Sequence, residues 1–234
     1  MSRAKKSVFV TRDRDIRAVL VPLLREKHLL TDRDLVIEEF GCKAARVDVA
    51  VVNGVLHGFE IKSDSDSLYR LEDQLDTYLG IFDYVTLVCG KKLYGEIRSS
   101  VPSYCGLMLA EAIEDRVTIT EKRKARKNPA QRALDLAQMM WKEEALHVLR
   151  IRGHRDITSR ASASEIWNVV ANRVKVLELA DELRSAIKLR GGSGFVRRSE
   201  QDGDWCTTQS IALPDHYSEN LEQLLAVLSP DLHG

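Results

Sequence analysis

The sequence predicts an α/β (α+β) fold: a helix, three antiparallel strands, a helix and a strand, followed by an α-helical C-terminal region. Three observations carry this expectation. β-like runs crowd between residues 35 and 90. An Asn53-Gly54 pair separates two of them, and both residues tolerate the positive φ of a hairpin turn. Helical periodicity then replaces the strand pattern from residue 130 onward.

Residues 13–27 read as the opening helix, because Ile16, Leu20, Leu23 and Leu24 recur on one face. Pro22 predicts a kink or an early break there, since proline removes a backbone donor. Residues 35–40, 46–52 and 55–62 are the strands. Residues 66–82 form a second helix, with Leu68, Leu71, Leu75, Tyr78 and Leu79 at helical spacing. YVTLVCG, residues 84–90, is apolar on both faces and reads as a central strand reached by a right-handed parallel crossover. Shorter β-like pieces lie at 104–110 and 116–120.

Character changes after EKRKARKNP, residues 121–129. The chain therefore divides into a front domain, 1–126, and a helical C-terminal domain, 127–234, that closes in a polar tail. Leu134, Leu136, Met140, Trp141, Ala145 and Leu149 are candidate core residues of the back half. Gly191-Gly192-Ser193-Gly194 is a flexible joint, and a short helix is expected near 221–228.

Bulk properties exclude several classes. With 44% hydrophobic and 30% charged residues, the 234-residue chain reads as an ordinary soluble protein. No apolar run suits a membrane span, and the basic N-terminus lacks the apolar stretch of a signal peptide. Cys42, Cys89, Cys105 and Cys206 are scattered without zinc-ligand spacing, which fits a reducing cytoplasm. A formal net charge of zero argues against a protein that coats nucleic acid.

The stretch ARVDVAVVNGVLHGFEIKSDSD, residues 45–66, raises the chemical question. A carboxylate in a covered strand is costly unless something compensates it, and Asp48 lies among valines. Alternation puts Glu60 and Lys62 on one face of their strand. A strict two-residue turn pairs Val52 with Val55 and sends Asp48 and Glu60 to different faces. One extra residue pairs Val52 with Leu56 and sets Asp48 beside Glu60, so a bulge or widened turn is expected. The carboxylates of Asp48 and Glu60, with the Ile61 carbonyl, then offer hard oxygen ligands for Mg²⁺, or Mn²⁺ in its place. Lys62 stands ready to orient a water or stabilise charge on a phosphate. The plainer alternatives are a solvated Glu-X-Lys strand, or an ion pair of Asp48 with Arg46 or Lys62.

RVD…EIK resembles the PD-(D/E)XK nuclease signature, with Val47-Asp48 where that family has Pro-Asp, then Glu60-Ile61-Lys62. Gln74 and Tyr78, in QLDTY, resemble the Q-x-x-x-Y element of its RecB-like and Cas4-like branch. VIEEF, residues 36–40, supplies an upstream acid; Glu39 is favoured, though alternation leaves Glu38 open. GFEIKSDSDSLYRLEDQLDTYLGIFDYVTLVCG, VPSYCGLMLAE and RKNPAQRALDLAQMMWKEEAL resemble a small, poorly characterised bacterial branch of the superfamily. The resemblance covers residues 31–150 and implies a restriction-endonuclease-like core and a Mg²⁺-dependent deoxyribonuclease in DNA repair or defence against foreign DNA. It implies Asp48, Glu60, Lys62, Glu39, Gln74 and Tyr78 as catalytic residues and leaves a homodimer open.

Arg70, Gln74 and Tyr78 lie four residues apart on one helix face, and Arg70 could hold a phosphate or merely border an amphipathic stripe. In the back half, residues 145–174 resemble a SAP-type helix–loop–helix, with Arg150, Arg152, Arg155 and Arg160 as phosphate contacts; a packing domain with a solvated basic face reads better. Lys122 and Arg123, in KRKARK, could meet a nucleic-acid backbone or belong to a linker. His57, His147 and His154 read as structural or surface residues, and Trp141 and Trp167 as packing. The alternative to a nuclease is a non-catalytic module that keeps the fold to bind nucleic acid or protein. RNA is a weaker substrate reading than DNA.

Overall fold

The computed structural model describes residues 11–191 except 28–29, 32–33 and 114–115. The Gly-rich joint beyond Gly191, the polar tail, the helix expected near 221–228 and Cys206 lie outside the described residues. Helix α1, Asp13–Lys27, runs without a break through Pro22. Proline costs little here because Pro22 and Ala18, whose carbonyl loses its partner, both lie on the exposed side where water replaces the missing donor.

Strands β1 (Leu35–Cys42), β2 (Ala45–Val52), β3 (Leu56–Lys62), β4 (Tyr84–Gly90), β5 (Gly106–Ile113) and β6 (Arg116–Arg123) form one mixed sheet in sequence order. β1/β2, β2/β3 and β5/β6 pair antiparallel; β3/β4 and β4/β5 pair parallel. Parallel neighbours need a crossover, and helices α2 (Leu71–Ile81) and α3 (Lys91–Ser100) supply the two. The sequence reading lacked α3, whose buried residues are Leu93 and Ile97 alone, one turn apart, with Tyr94 packed at the core's edge. α2 starts at Leu71 rather than at 66, because the Asp66 carboxylate accepts from the Ser63 N–H and hydroxyl, both at 2.7 Å, and closes a turn instead.

Two apolar layers cover the sheet. On one face Ile16, Leu20 and Leu24 of α1 pack on Val49, Val51, Phe59, Ile61, Val88 and Met108. On the other, α2 and α3 share a core with α4 (Ala133–Gln138), α5 (Lys142–Ile151), α6 (Ala163–Arg173) and α7 (Val176–Leu189). Leu136, Met140, Ala145 and Leu149 are buried there as anticipated, whereas Leu134 is 39% exposed. Ser162 caps α6 and exchanges hydrogen bonds with Glu165. Trp167 packs in the core and donates to the Met140 carbonyl at 3.0 Å; Trp141 stacks under the Arg190 guanidinium at 4.9 Å.

Buried charges tie the helices to the sheet. Asp83, fully buried between α2 and β4, accepts from the Leu56 N–H at 2.8 Å and from Arg184 of α7 at 2.7 Å, and also pairs with Lys127. Removing one partner of such a group strands the others in a place with little water. Asp83→Ala is therefore expected to lower the unfolding free energy by about 3 kcal/mol, read as an earlier midpoint in urea denaturation.

Candidate functional site

The β2–β3 loop has three residues, Asn53 to Val55, with Gly54 at φ 95° and Val52 opposite Leu56. The regular register runs back to Val49 opposite Phe59. One step further, Asp48 stands opposite Glu60, but there the ladder opens. The Ile61 N–H donates to Asp48 Oδ2 at 2.7 Å in place of a β2 carbonyl. In an extended strand the N–H and C=O of one residue turn to the same neighbour, so the Ile61 carbonyl opens to the same gap.

β1 mirrors the irregularity. Glu39 has a positive φ of 55°, and it is the residue skipped between Glu38↔Val49 and Phe40↔Val47. Side-chain alternation resets at this point. Ile37, Phe40 and Cys42 all pack with the α2 layer, as do Val47 and Ala50 of β2. A non-glycine residue in this region costs of order 1–3 kcal/mol, and such strain gathers where a site dictates the backbone.

Glu60 is 2% exposed and sits in a network built by α2. Lys62 Nζ donates to Glu60 Oε1 at 2.5 Å and to Gln74 Oε1 at 2.9 Å. The Gln74 amide donates to Glu60 Oε1 at 2.8 Å and to the Tyr78 hydroxyl at 3.3 Å. That hydroxyl lies 2.8 Å from both Glu60 Oε2 and the Arg46 carbonyl, and its single proton serves one of them at a time. Burial, ahead of the Glu60 charge, drives the Tyr78 phenol well above its ordinary value. The structure thus brings Glu60, Lys62, Gln74 and Tyr78 together.

Asp48 belongs to a second knot, on the α1 side. Arg17 donates to Asp48 Oδ1 at 2.7 Å and to the Asp48 carbonyl at 2.8 Å. The same guanidinium meets Glu39 at 2.7 Å and Asp13 at 3.2 Å, and Glu38 lies farther off at 3.9 Å. Glu39, nearer to Arg17 than Glu38 is, also meets Arg46 at 2.6 Å. Asp48 therefore pairs with Arg17, not with Arg46 or Lys62. Burial first, and repulsion from Glu60 second, push the Asp48 carboxyl up to about 7.

The family model of bacteriophage P4 protein cII matches residues 8–203. The chain belongs to the bacteriophage P4 protein cII family. Protein cII of Enterobacteria phage P4 is 37% identical over 98 residues, 42% of this cII-family chain and 37% of the phage protein. The match thus spans little more than a third of that relative's length. A solved protein of unknown function from Silicibacter pomeroyi aligns with 64% of the chain and 98% of its own length, at TM-score 0.40 and 18% identity.

Other expected contacts of this cII-family chain lie elsewhere. Arg70 falls just before α2, exposed, with no ion pair among the described residues, although its carbonyl accepts from the Gln74 N–H at 3.0 Å. Arg123 is turned inward onto the Cys105 and Pro102 carbonyls at 2.8 and 3.1 Å, and Arg152 onto Glu182 at 2.9 Å, so both are structural clamps. Lys122 is exposed on β6 and Arg150 on α5, and neither bonds to the Glu60 network. His57 is structural, stacked on Phe59 and within 2.9 Å of the Thr86 hydroxyl.

Two site residues escaped the sequence reading. Arg17 sits one turn from Asp13, and that local spacing alone does not single it out. Asp64, in the polar run SDSDS, accepts from Thr11 and from the Lys92 N–H, at 2.9 Å each. Gly90 leaves room for it, since a Cβ there would come within 2.3 Å of Asp64 Oδ1.

A carboxyl raised from 3.8 to about 7 binds its proton better folded than unfolded. Its contribution is intact at low pH and is lost as pH rises through about 7. In EDTA, Asp48→Asn is therefore expected to raise Tm at pH 8, with the difference closing by pH 4, as measured by thermal denaturation across pH.

Proposed function

We propose that this protein is a metal-dependent nuclease of the PD-(D/E)XK kind that hydrolyses DNA phosphodiester bonds in the cytoplasm. One observation carries the reading. Asp48 stands across an opened ladder from a buried Glu60, and Lys62 and Gln74 bond to that same Glu60. Support also comes from the order of helix, three antiparallel strands, helix and parallel strand, which is that of a restriction-endonuclease-like core.

The donor set suits a divalent cation. Asp13, Glu38, Glu39, Asp48 and Glu60 face only Arg17, Arg46 and Lys62 in this cluster, so five carboxylates against three cations leave a formal charge of −2. Asp48, Glu60 and the Ile61 carbonyl would hold Mg²⁺, with waters completing its shell. Among the described residues no three His, Cys, Asp or Glu side chains form a ready metal cage; two carboxylates, a carbonyl and water need none. Bound there, the ion would polarise a phosphoryl oxygen and acidify a water.

The chain's own groups do the rest. Lys62 presents an ammonium, 11% exposed, held from behind by Gln74 and Glu60, so it needs little reorganisation to meet a phosphate oxygen. Tyr78 and Gln74 fix the Glu60 carboxylate against rotation. With Asp48 turned to an ion, Arg17 would still have Asp13, Glu38 and Glu39 as partners.

A second reading has its own observation. Arg17 and Lys62 already neutralise Asp48 and Glu60, as they would in a nuclease fold kept only to bind nucleic acid. Cleavage of single-stranded, duplex, branched and modified DNA, and of RNA, with Mg²⁺, Mn²⁺ or EDTA separates the two. Metal-dependent DNA cleavage is expected, with Asp48→Ala and Lys62→Ala each slowing it by about a hundredfold or more while circular dichroism stays unchanged. Metal-independent binding without cleavage, or full activity in either variant, rejects the nuclease.

A further inference from the structure

We infer that Tyr69 is a stacking platform for an unpaired base, and that the loop carrying it docks single-stranded DNA beside Lys62. The inference rests on the nuclease reading for what happens next, but not for the binding itself.

Tyr69 is 92% exposed, the largest exposure among the exposed large hydrophobic side chains of the described residues. Its loop is nonetheless tightly built. Ser63 and Asp66 close one turn, the Tyr69 N–H bonds the Ser67 hydroxyl at 3.2 Å, and the Leu71 N–H bonds the Leu68 carbonyl at 2.9 Å. Leu68, the residue before Tyr69, packs against the core. A pinned loop that holds a ring out in water has already met the ordering cost of a binding residue, and among the described residues nothing covers the ring.

The loop's position supplies the second argument. It leaves β3 directly after Lys62 and enters α2 one turn before Gln74, at the carboxyl ends of the parallel strands β3 and β4. Ligands of open α/β sheets gather at that end. Asp64 gathers the neighbouring segments there. It bonds Thr11 ahead of α1 and the Lys92 N–H at the start of α3. Exposed Arg12, Arg70 and Lys92 thereby border the loop, none with an ion pair among the described residues. The carboxylates of Asp64 and Asp66 are turned to Thr11, Lys92 and Ser63, leaving Glu72 and Asp73 as the loop's nearest other acids.

Cations that track a backbone, beside an aromatic face, suit a single strand, whose bases are free to stack. A duplex keeps its bases stacked inside and offers Tyr69 only a sugar–phosphate edge. RNA shares the stacking face, so it forms an arm of the test rather than part of the inference.

The experiment is fluorescence anisotropy of the full chain in EDTA with labelled oligonucleotides: single-stranded DNA, the same sequence as duplex, and its RNA counterpart. Tyr69→Ala is expected to weaken single-stranded DNA binding by about tenfold, Tyr69→Phe to stay within about twofold, and duplex binding to be unmoved by either. Lys92→Gln should weaken single strand and duplex alike and flatten the salt dependence, as a phosphate contact does. No single-strand binding by the parent, an unchanged Tyr69→Ala, tighter RNA than DNA binding, or equal losses on both DNA forms in Tyr69→Ala overturns the inference. Tyr69-dependent binding without any cleavage in metal leaves it standing and removes the nuclease reading. Cleavage of single-stranded DNA untouched by Tyr69→Ala does the reverse.

Discussion

A buried carboxyl group on β3 sets the terms for the rest of this molecule. Glu60 is almost wholly out of water, and such a group is tolerated only where donors meet its oxygens. Those donors come from two residues along its own strand and from consecutive turns of α2. α2 must therefore lie over β3 in one orientation, and the parallel crossover to β4 follows from that placement. The Tyr78 hydroxyl also reaches the Arg46 carbonyl, so the same helix fixes the diverging end of β2. Packing alone would permit α2 to slide; the polar network selects one position.

The opening between β2 and β3 puts side chains where backbone groups would ordinarily pair. Asp48 receives one freed N–H and Tyr78 approaches one freed carbonyl. The strands separate without leaving those groups unmet, and the gap is lined with oxygen atoms. Across the sheet, Asp83 and Arg190 play the quieter part of holding helices. Arg190 is 1% exposed, with Glu144 at 3.1 Å and the Trp141 ring beneath it.

Much of this was legible in the residues. α1 falls where Ile16, Leu20 and Leu24 placed it, and the widened turn follows from requiring Asp48 and Glu60 to meet. Gln74 and Tyr78 were legible because helical spacing and a known motif coincide. What stayed hidden was long-range. Arg17 lies 31 residues from the carboxylate it holds, and no local pattern distinguishes it from a surface arginine paired to Asp13. Arg123 and Arg152 look basic and free in sequence, yet backbone carbonyls and Glu182 claim them. α3 was hidden because its exposed turns leave only two buried apolar residues to mark it.

The loop between β2 and β3 is a surface hairpin of the sort that usually absorbs insertions and deletions. Here its length is counted by the chemistry. Were the turn to close over Asn53-Gly54 alone, Val52 would meet Val55, and Asp48 would stand opposite Phe59 instead of Glu60. Homologues that keep the same residues but pair these strands one step out would carry the letters of the site without its geometry. Register at this turn, as much as residue identity, then decides whether a homologue keeps Asp48 across from Glu60.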